Sequence, residues 1–363
     1  MVFLTFLIIP VLICVFSWFL TNKITWKEFL AQILAINFII GIMSILILNS
    51  NMSDREVWNG QITKKWTEKV SCRHSYSCHC VTHHSTSCSK RGCHTSSYTV
   101  CQTCYEHSYD RVWRTENNIK ESWGINTIDR QGLREPTRWT KIEIGEATSS
   151  LHSYDNYIKG SPDSLFHTGR INEKEVAGVP EYPDHIYDYW KLNRLITIGV
   201  NVQEKDLWNK QIATISGELG SLKQVNVLIV LVKGKSHDFY YTLERIWLGG
   251  KKNDVIPVIG LDADNNILWV EVMSLSNEEF KVYLRNDLLN LNILDRDKVI
   301  LTIKDNVKNR YIRKPMKDFE YLKSLIKPTK GQWVFGIILG LILSIGLSIF
   351  FYYKDPFGDD ARL

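Results

Sequence analysis

Cysteine and histidine side chains are concentrated in one short stretch of the chain. Seven of the eight cysteines lie between Cys72 and Cys104, and six of the ten histidines lie between His74 and His107. Thiolate and imidazole are ligands that zinc prefers, and a Cys-x-x-Cys pair such as Cys101 and Cys104 can hold two corners of a tetrahedral site. The stretch therefore predicts a zinc-binding module. Its candidate ligands are Cys72, His74, Cys78, His79, Cys80, Cys88, Cys93, His94, Cys101, Cys104 and His107.

A disulfide framework is the alternative interpretation of these cysteines. Seven is an odd number, so disulfides would leave one thiol over, and the interleaved histidines would have no role. Against zinc, the spacings match no standard finger, and only one Cys-x-x-Cys pair is present. Reduced thiols with metal fit the cytoplasm, whereas disulfides fit an oxidising compartment.

The same stretch cannot build an ordinary hydrophobic core. It contains no Leu or Ile between Cys72 and His107 and is rich in Ser, Thr and Tyr. Small segments of this kind are held by metal or by covalent bonds. A catalytic metal would need an open ligand position beside a general base, and nothing in the sequence marks one. We therefore expect a structural clamp, flanked by strands at Trp58–Val70 and Tyr105–Thr115.

A second group of candidate site residues consists of Asp254, Asp262 and Asp264. If these carboxylates gather at the ends of strands, their oxygens would suit Ca²⁺ or Mg²⁺. The simpler interpretation is favoured, in which Gly249 and Gly250 end a helix and 262–266 is a polar turn. The sequence contains no P-loop, nucleophile elbow or His-Glu-x-x-His motif, so an enzyme is not the leading hypothesis.

Three uncharged stretches are long enough to cross a bilayer. They are Val2–Leu20, Phe29–Leu48 and Trp333–Phe351, and the first two form a helical hairpin. In the third stretch four small residues recur every four positions, which predicts close helix packing within the chain or with another copy. These residues are Gly336, Gly340, Ser344 and Ser348.

Three spans would place the large region between about residues 50 and 330 on one side of the membrane. Lys and Arg near the spans are more frequent on that side, which favours the cytoplasm by the positive-inside rule. Long domains, however, cross membranes largely regardless of their charge. The side is therefore left open by the sequence.

The fold class predicted is an α+β membrane protein with three transmembrane helices, a small β-rich Cys/His module and a three-layer α/β domain with a mixed sheet. In that domain Glu204–Leu219 is a helix ended by Gly220, and Val225–Val232 is a buried strand. Lys141–Ile144 is expected to be a short strand. The segments are a membrane hairpin 1–50, the Cys/His module 51–115, a loop-rich connector 116–186, the α/β domain 187–310, a linker 311–330, a third span 331–354 and a tail 355–363.

The α/β domain resembles a known family over about residues 190–305. A helix ending at Trp247 leads into Gly249-Gly250-Lys251-Lys252-Asn253-Asp254 and then a buried strand, which looks like the TPM domain. With Trp58-Asn59-Gly60 and Cys104-Tyr105-Glu106-His107, the pattern is also similar to membrane proteins of phages and bacteria. The resemblance implies a membrane-anchored, extracytoplasmic domain linked to assembly or repair of membrane complexes, with phosphatase activity in some members. It opposes the cytoplasmic placement favoured by charge.

Composition narrows the class of partner. The net charge is +5, 23% of residues are charged and 44% are hydrophobic, which excludes a disordered chain. No basic tract stands out, so nucleic acid is not expected as a partner. We expect a membrane-anchored interaction or assembly protein, related to phage proteins, whose partners are the bilayer and a membrane protein or a second copy. The alternatives are a metal-dependent phosphatase or hydrolase and a sensor of metal or redox state.

Overall fold

Three apolar helices from the two ends of the chain pack side by side. In the computed structural model, which describes residues 2–21, 23–89, 92–168 and 176–357, these are α1 (Val2–Thr21), α2 (Trp26–Met52) and the C-terminal α10 (Lys330–Lys354). By length and composition, α2 and α10 could each cross a membrane, whereas the apolar stretch Phe6–Thr21 within α1 is shorter. Two candidate spans are therefore present, and a third crossing by α1 stays a prediction.

The stripe of small residues on α10 packs against α1 of the same chain. A Cβ atom added to Gly340 would lie 2.6 Å from Pro10, and one added to Gly336 would lie 2.6 Å from Phe6. Ser344 is fully buried. Because α1 covers the stripe, these residues do not offer a free surface to a second copy.

A polar contact crosses the same helix bundle. Gln32 of α2 donates through Nε2 to the Ser344 carbonyl at 3.0 Å and to Ser348 Oγ at 2.7 Å. Ser348 in turn donates to Ser17 of α1 at 3.0 Å. One short chain of hydrogen bonds thus joins all three helices.

Antiparallel strands form the first sheet, in the order β5-β4-β1-β6. Its strands are β1 (Ser53–Val70), β4 (Asp110–Asn117), β5 (Ser122–Ile125) and β6 (Ala147–Asp155). Strands β5 and β6, which lie in the predicted connector 116–186, pair in one sheet with the strands that flank the Cys/His module. The predicted strand Lys141–Ile144 is not formed.

A long hairpin projects from this sheet between β1 and β4. It consists of β2 (Ser75–Ser89) and β3 (Gly92–Tyr105), which among the described strands pair only with each other. We call this element the hairpin arm.

The second sheet is mixed and has helices on both faces, as the sequence predicts. Its strands are β9 (Leu195–Ile198), β10 (Asn226–Val227), β11 (Ile229–Lys233), β12 (Asp254–Leu261) and the antiparallel β13 (Ile267–Met273). Ile229 and Leu231 of β11 pack under helices α6 (Lys205–Lys223), α8 (Glu278–Leu289) and α9 (Arg296–Arg310). The alternate residues Val230 and Val232 pack under α7 (Asp238–Ile246). This alternation is what a strand buried on both faces requires.

Short elements connect these parts. They are helices α3 (Thr137–Thr140), α4 (Tyr157–Gly160) and α5 (Leu165–Thr168), strands β7 (Ile186–Tyr187) and β8 (Lys191–Leu192), and a 3₁₀ segment, Met316–Leu325. The predicted linker 311–330 thus contains a 3₁₀ segment, and residues 358–363 of the predicted tail lie outside the described residues.

The two sheets are joined where α6 crosses β1. A Cβ on Gly217 would lie 2.8 Å from the Gly60 carbonyl oxygen, and a Cβ on Gly220 would collide with the Asn59 carbonyl oxygen. The sequence predicted that Gly220 ends this helix. That prediction is wrong, because α6 continues to Lys223. Its role is to let the helix touch the backbone of the strand.

The packing of the small-residue stripe predicts the effect of enlarging it. Gly340→Leu should lower the midpoint temperature of the full-length protein in detergent, since overpacking a close contact costs about 1–3 kcal/mol. Gly346→Leu is the matched control, because a Cβ there meets no atom within 4 Å. Equal midpoints for the two variants would contradict packing through the stripe.

Candidate metal centre and hairpin arm

Three disulfides link the two strands of the hairpin arm. They are Cys78–Cys104, Cys80–Cys101 and Cys88–Cys93. The described side chains of β2 and β3 are exposed apart from Cys78 and Cys104, which are partly buried. A two-stranded sheet without a core is marginally stable in water, so the cross-links supply what packing cannot.

This pairing changes the prediction for six of the candidate zinc ligands. The sulfurs of Cys78, Cys80, Cys88, Cys93, Cys101 and Cys104 are joined in pairs, and disulfide sulfur does not serve as a thiolate ligand. His79 lies beside the Cys78–Cys104 pair. His94 belongs to β3, but its side chain lies outside the described residues. The disulfide interpretation of the sequence left one of the seven thiols unpaired. In the structure that thiol is Cys72, which is free and buried.

The arm has two chemically different faces. Val81 pairs with Val100 and His83 with Tyr98, and the rings of His83 and Tyr98 stack with centroids 5.2 Å apart. Side chains alternate along a strand, so the intervening pair Thr82 and Thr99 faces the other way, with their hydroxyls 3.0 Å apart. One face is therefore aromatic and aliphatic, and the opposite face is hydroxyl-rich.

The remaining thiol, Cys72, lies in a cluster at the base of the arm. Cys72 and His74 follow β1 on the outgoing chain, and His107 and Asp110 precede or begin β4 on the returning chain. The backbone closes this junction, since the Glu106 N–H donates to the His74 carbonyl at 3.0 Å. We call these four residues the base cluster; one ligand atom from each lies within 4.8 Å of every other.

The base cluster is tightly spaced and largely shielded. His74 Nδ1 lies 3.4 Å from Asp110 Oδ2, His107 Nδ1 lies 3.4 Å from Asp110 Oδ1, and Cys72 Sγ lies 3.6 Å from His107 Nδ1. Cys72 and Asp110 are buried and the two imidazoles are half-buried. The N–H of Arg73 donates to Asp110 at 2.8 Å, and this hydrogen bond is the main reason that the pKa of Asp110 is lowered. Cysteine, histidine and aspartate at these separations could hold a metal ion.

The structure does not bring Asp254 together with Asp262 and Asp264. Asp254 begins β12, and Asp262 follows its last residue, Leu261, so an eight-residue strand of about 25 Å separates them. Asp262 accepts the N–H groups of Asp264 and Asn266 at 2.8 Å each. The predicted Ca²⁺ or Mg²⁺ site therefore does not form as a group, and 262–266 is a hydrogen-bonded turn.

Asp254 instead sits in a buried polar network between the two sheets. Its carboxylate accepts from Asn226 Nδ2 at 2.8 Å, from Tyr182 Oη at 2.7 Å and from the Lys251 N–H at 2.7 Å. Burial raises the pKa of Asp254 to about 6 despite these donors. Lys251 extends to Asp54 of β1 at 2.6 Å, and this ion pair, against the opposing effect of burial, lowers the pKa of Asp54.

Sequence reasoning missed two residues of importance. Asp110 joins the base cluster but is neither cysteine nor histidine; its only signal is a position three residues after His107.

Arg194 is 1% exposed and lies between the sheets. Its guanidinium donates to Asn59, Asn226, Ser149 and the Val227 carbonyl. Burial lowers the pKa of Arg194 to about 10.

No family model, curated protein or solved structure matches the chain. The resemblance to TPM domains and to phage and bacterial membrane proteins therefore rests only on the residues that suggested it.

Loss of the cross-links predicts a local change in protease resistance. A disulfide closing a loop of this size contributes roughly 3 kcal/mol, so Cys80→Ser with Cys101→Ser should loosen the arm. Chymotrypsin should then cleave at Tyr98 faster, while the two larger sheets stay resistant. Cys14→Ser, which removes a free cysteine in the helix bundle, is the control. Unchanged cleavage in the double variant would show that the disulfides do not hold the arm.

The buried carboxyl of Asp254 predicts a pH dependence of stability. Its folded-state pKa of about 6 lies above the usual value near 4, so the stabilisation is present at low pH and is lost as pH rises through 6. The shift corresponds to roughly 3 kcal/mol. Thermal unfolding is measured for the full-length protein and for Asp254→Asn between pH 4.5 and 7.5. The midpoint temperature of the wild type should fall relative to that of the variant as pH rises. If the midpoint temperatures of the two proteins changed equally with pH, the titration of a buried Asp254 carboxyl would be contradicted.

Proposed function

We propose that this is a membrane-anchored interaction or assembly protein that presents the hairpin arm to another protein. The observation that carries the proposal is the arm itself, a two-stranded element that pairs with no other strand of the described chain and is exposed along its length. Three disulfides hold it in one shape. An element that adds nothing to a core and is nevertheless kept rigid is suited to contact something outside the chain.

The composition of the arm supports protein recognition. Its exposed large side chains are Tyr76, Val81, Tyr98, Val100 and Tyr105, set among serines and threonines. Tyrosine supplies a large contact area with little conformational entropy to lose, and serine supplies adaptable hydrogen bonds, as in antibody loops. A pre-organised strand pair also lowers the cost of ordering on binding. We infer that the partner contacts the face that carries Val81, Tyr98 and Val100.

The disulfides favour an extracytoplasmic position for the arm. Exposed disulfides persist in oxidising compartments and are rare in the cytosol. The resemblance to TPM domains agrees, since these are typically extracytoplasmic, whereas the charge asymmetry near the spans opposes it. We give the disulfides more weight, because long domains translocate largely regardless of charge. In this proposal α1, α2 and α10 all cross the bilayer, with the arm and both sheets outside.

The hydrolase and sensor hypotheses have less support. Asp254 is occupied by three donors inside a buried network, and Asp262 and Asp264 lie at the other end of β12. The arrangement thus leaves no shared carboxylate site among these residues. No feature of the described residues favours a reversible response to metal or oxidant over a fixed clamp.

Site-specific photocrosslinking in native membranes tests the proposal. A photoreactive amino acid at Tyr98 should give a discrete adduct with one partner protein. The same amino acid at Thr99 is the matched control, because it lies on the same strand but on the opposite face. Leu268, exposed on β13, controls for random collisions.

Three results would decide against the proposal. Equal adducts from Tyr98, Thr99 and Leu268 would indicate non-specific contact, and no adduct from either arm position would remove the interaction role. A membrane-impermeant reductant added to intact cells should abolish the Tyr98 adduct, since it loosens the arm. Persistence of the adduct would contradict the extracytoplasmic placement.

A further inference from the structure

We infer that the base cluster, Cys72, His74, His107 and Asp110, binds one zinc ion that fixes the hairpin arm to the first sheet. This site differs from the zinc module expected from the sequence. It uses only three of the eleven candidate ligands and adds an aspartate. The inference does not depend on whether the arm binds a partner.

The spacing of the ligand atoms fits a tetrahedral zinc site. Zinc lies about 2.0–2.3 Å from nitrogen, oxygen and sulfur ligands, so two ligands of one tetrahedron are about 3.3–3.8 Å apart. His107 Nδ1 lies 3.4 Å from Asp110 Oδ1 and 3.6 Å from Cys72 Sγ, and His74 Nδ1 lies 3.4 Å from the other carboxylate oxygen, Oδ2. All four ligand atoms lie within 4.8 Å of one another, which is within reach of one shared ion.

Two buried atoms of the cluster are left without hydrogen bonds. Nδ1 of His74 and Oδ1 of Asp110 are shielded from solvent and have no hydrogen-bond partner among the described residues. Buried polar atoms are rarely left in this state. A metal ion between them would satisfy both atoms, and this is the independent observation that favours a ligand over a chance cluster.

Neighbouring backbone groups already orient the ligands. The Arg73 N–H donates to Asp110 Oδ2 at 2.8 Å, and the His74 N–H donates to Cys72 Sγ at 3.4 Å. Hydrogen bonds of this kind hold the first ligands of metal sites in position and tune them.

The donor set selects zinc and a structural role. One thiolate and two imidazoles do not suit Ca²⁺ or Mg²⁺, which prefer oxygen ligands. Four protein ligands close a tetrahedral site, whereas catalytic zinc keeps one position for water. Two ligands come from the chain leaving β1 and two from the chain entering β4, so a single ion ties together both legs of the arm.

Metal analysis of the full-length protein tests the site. Protein extracted from its native membrane should carry one zinc per chain, and Cys72→Ser or Asp110→Asn should reduce it to background. The matched control is Cys88→Ser with Cys93→Ser, which removes two cysteines at the far end of the arm and should keep the zinc. Zinc retained by both ligand variants, or lost only from the control, would overturn the inference.

A second measurement covers the case in which a ligand variant does not fold. Cobalt exchanged into the wild-type protein should give the intense visible bands of tetrahedral coordination with charge transfer from a single thiolate. In parallel, thiol labelling should modify Cys72 only after a chelator is added, with the three disulfides intact throughout. A cobalt spectrum without thiolate charge transfer, or Cys72 labelled at the same rate with and without chelator, would exclude the site.

Discussion

The buried guanidinium of Arg194 is the interaction that holds the two halves of the molecule in register. It reaches Asn59 of β1, Ser149 of β6 and Asn226 of β10, so one side chain touches both sheets. In the described part of the chain its hydrogen-bond partners are neutral oxygens and not carboxylates. Removing any one of them would leave a buried charge incompletely solvated, which is among the costliest defects in a protein interior. Close to this polar seam, α6 meets β1 at Gly217 and Gly220, where the missing Cβ atoms allow the backbones to approach.

Local sequence pattern was sufficient for most of the secondary structure. The stretches Phe29–Leu48 and Trp333–Phe351 lie inside α2 and α10, and the predicted strand Val225–Val232 covers β10 and all but the last residue of β11. Hydrophobic period and length dictate such elements directly. The predictions that were wrong or missing concern contacts between one element and its neighbours. Gly220 has the pattern of a helix end, but it is glycine because a neighbouring backbone approaches, and β6 has no strand pattern strong enough to stand out from the loops around it.

The base cluster shows why a site can be predicted only in part. The density of Cys and His indicated that covalent bonds or metal must hold the segment together, and the three disulfides agree with that inference. Which sulfurs pair depends on the register of β2 against β3, because cross-strand partners must face each other. The register depends on both strands, so the spacing of cysteines along one strand does not determine it. Once six cysteines are paired, Cys72 is selected by elimination, and Asp110 is brought to it only by the pairing of β1 with β4.

The junction between α2 and β1 has a mechanical consequence. The helix ends at Met52 and the strand begins at Ser53, with no residue between them. Helix α2 thus continues directly into a strand of up to about 60 Å, which pairs with β6 over 53–61 and with β4 over 62–70. A tilt of roughly 5° in the helix would displace the far end of such a strand by about 5 Å. A change in the tilt of α2 would therefore be amplified along β1 and appear as movement at the root of the arm.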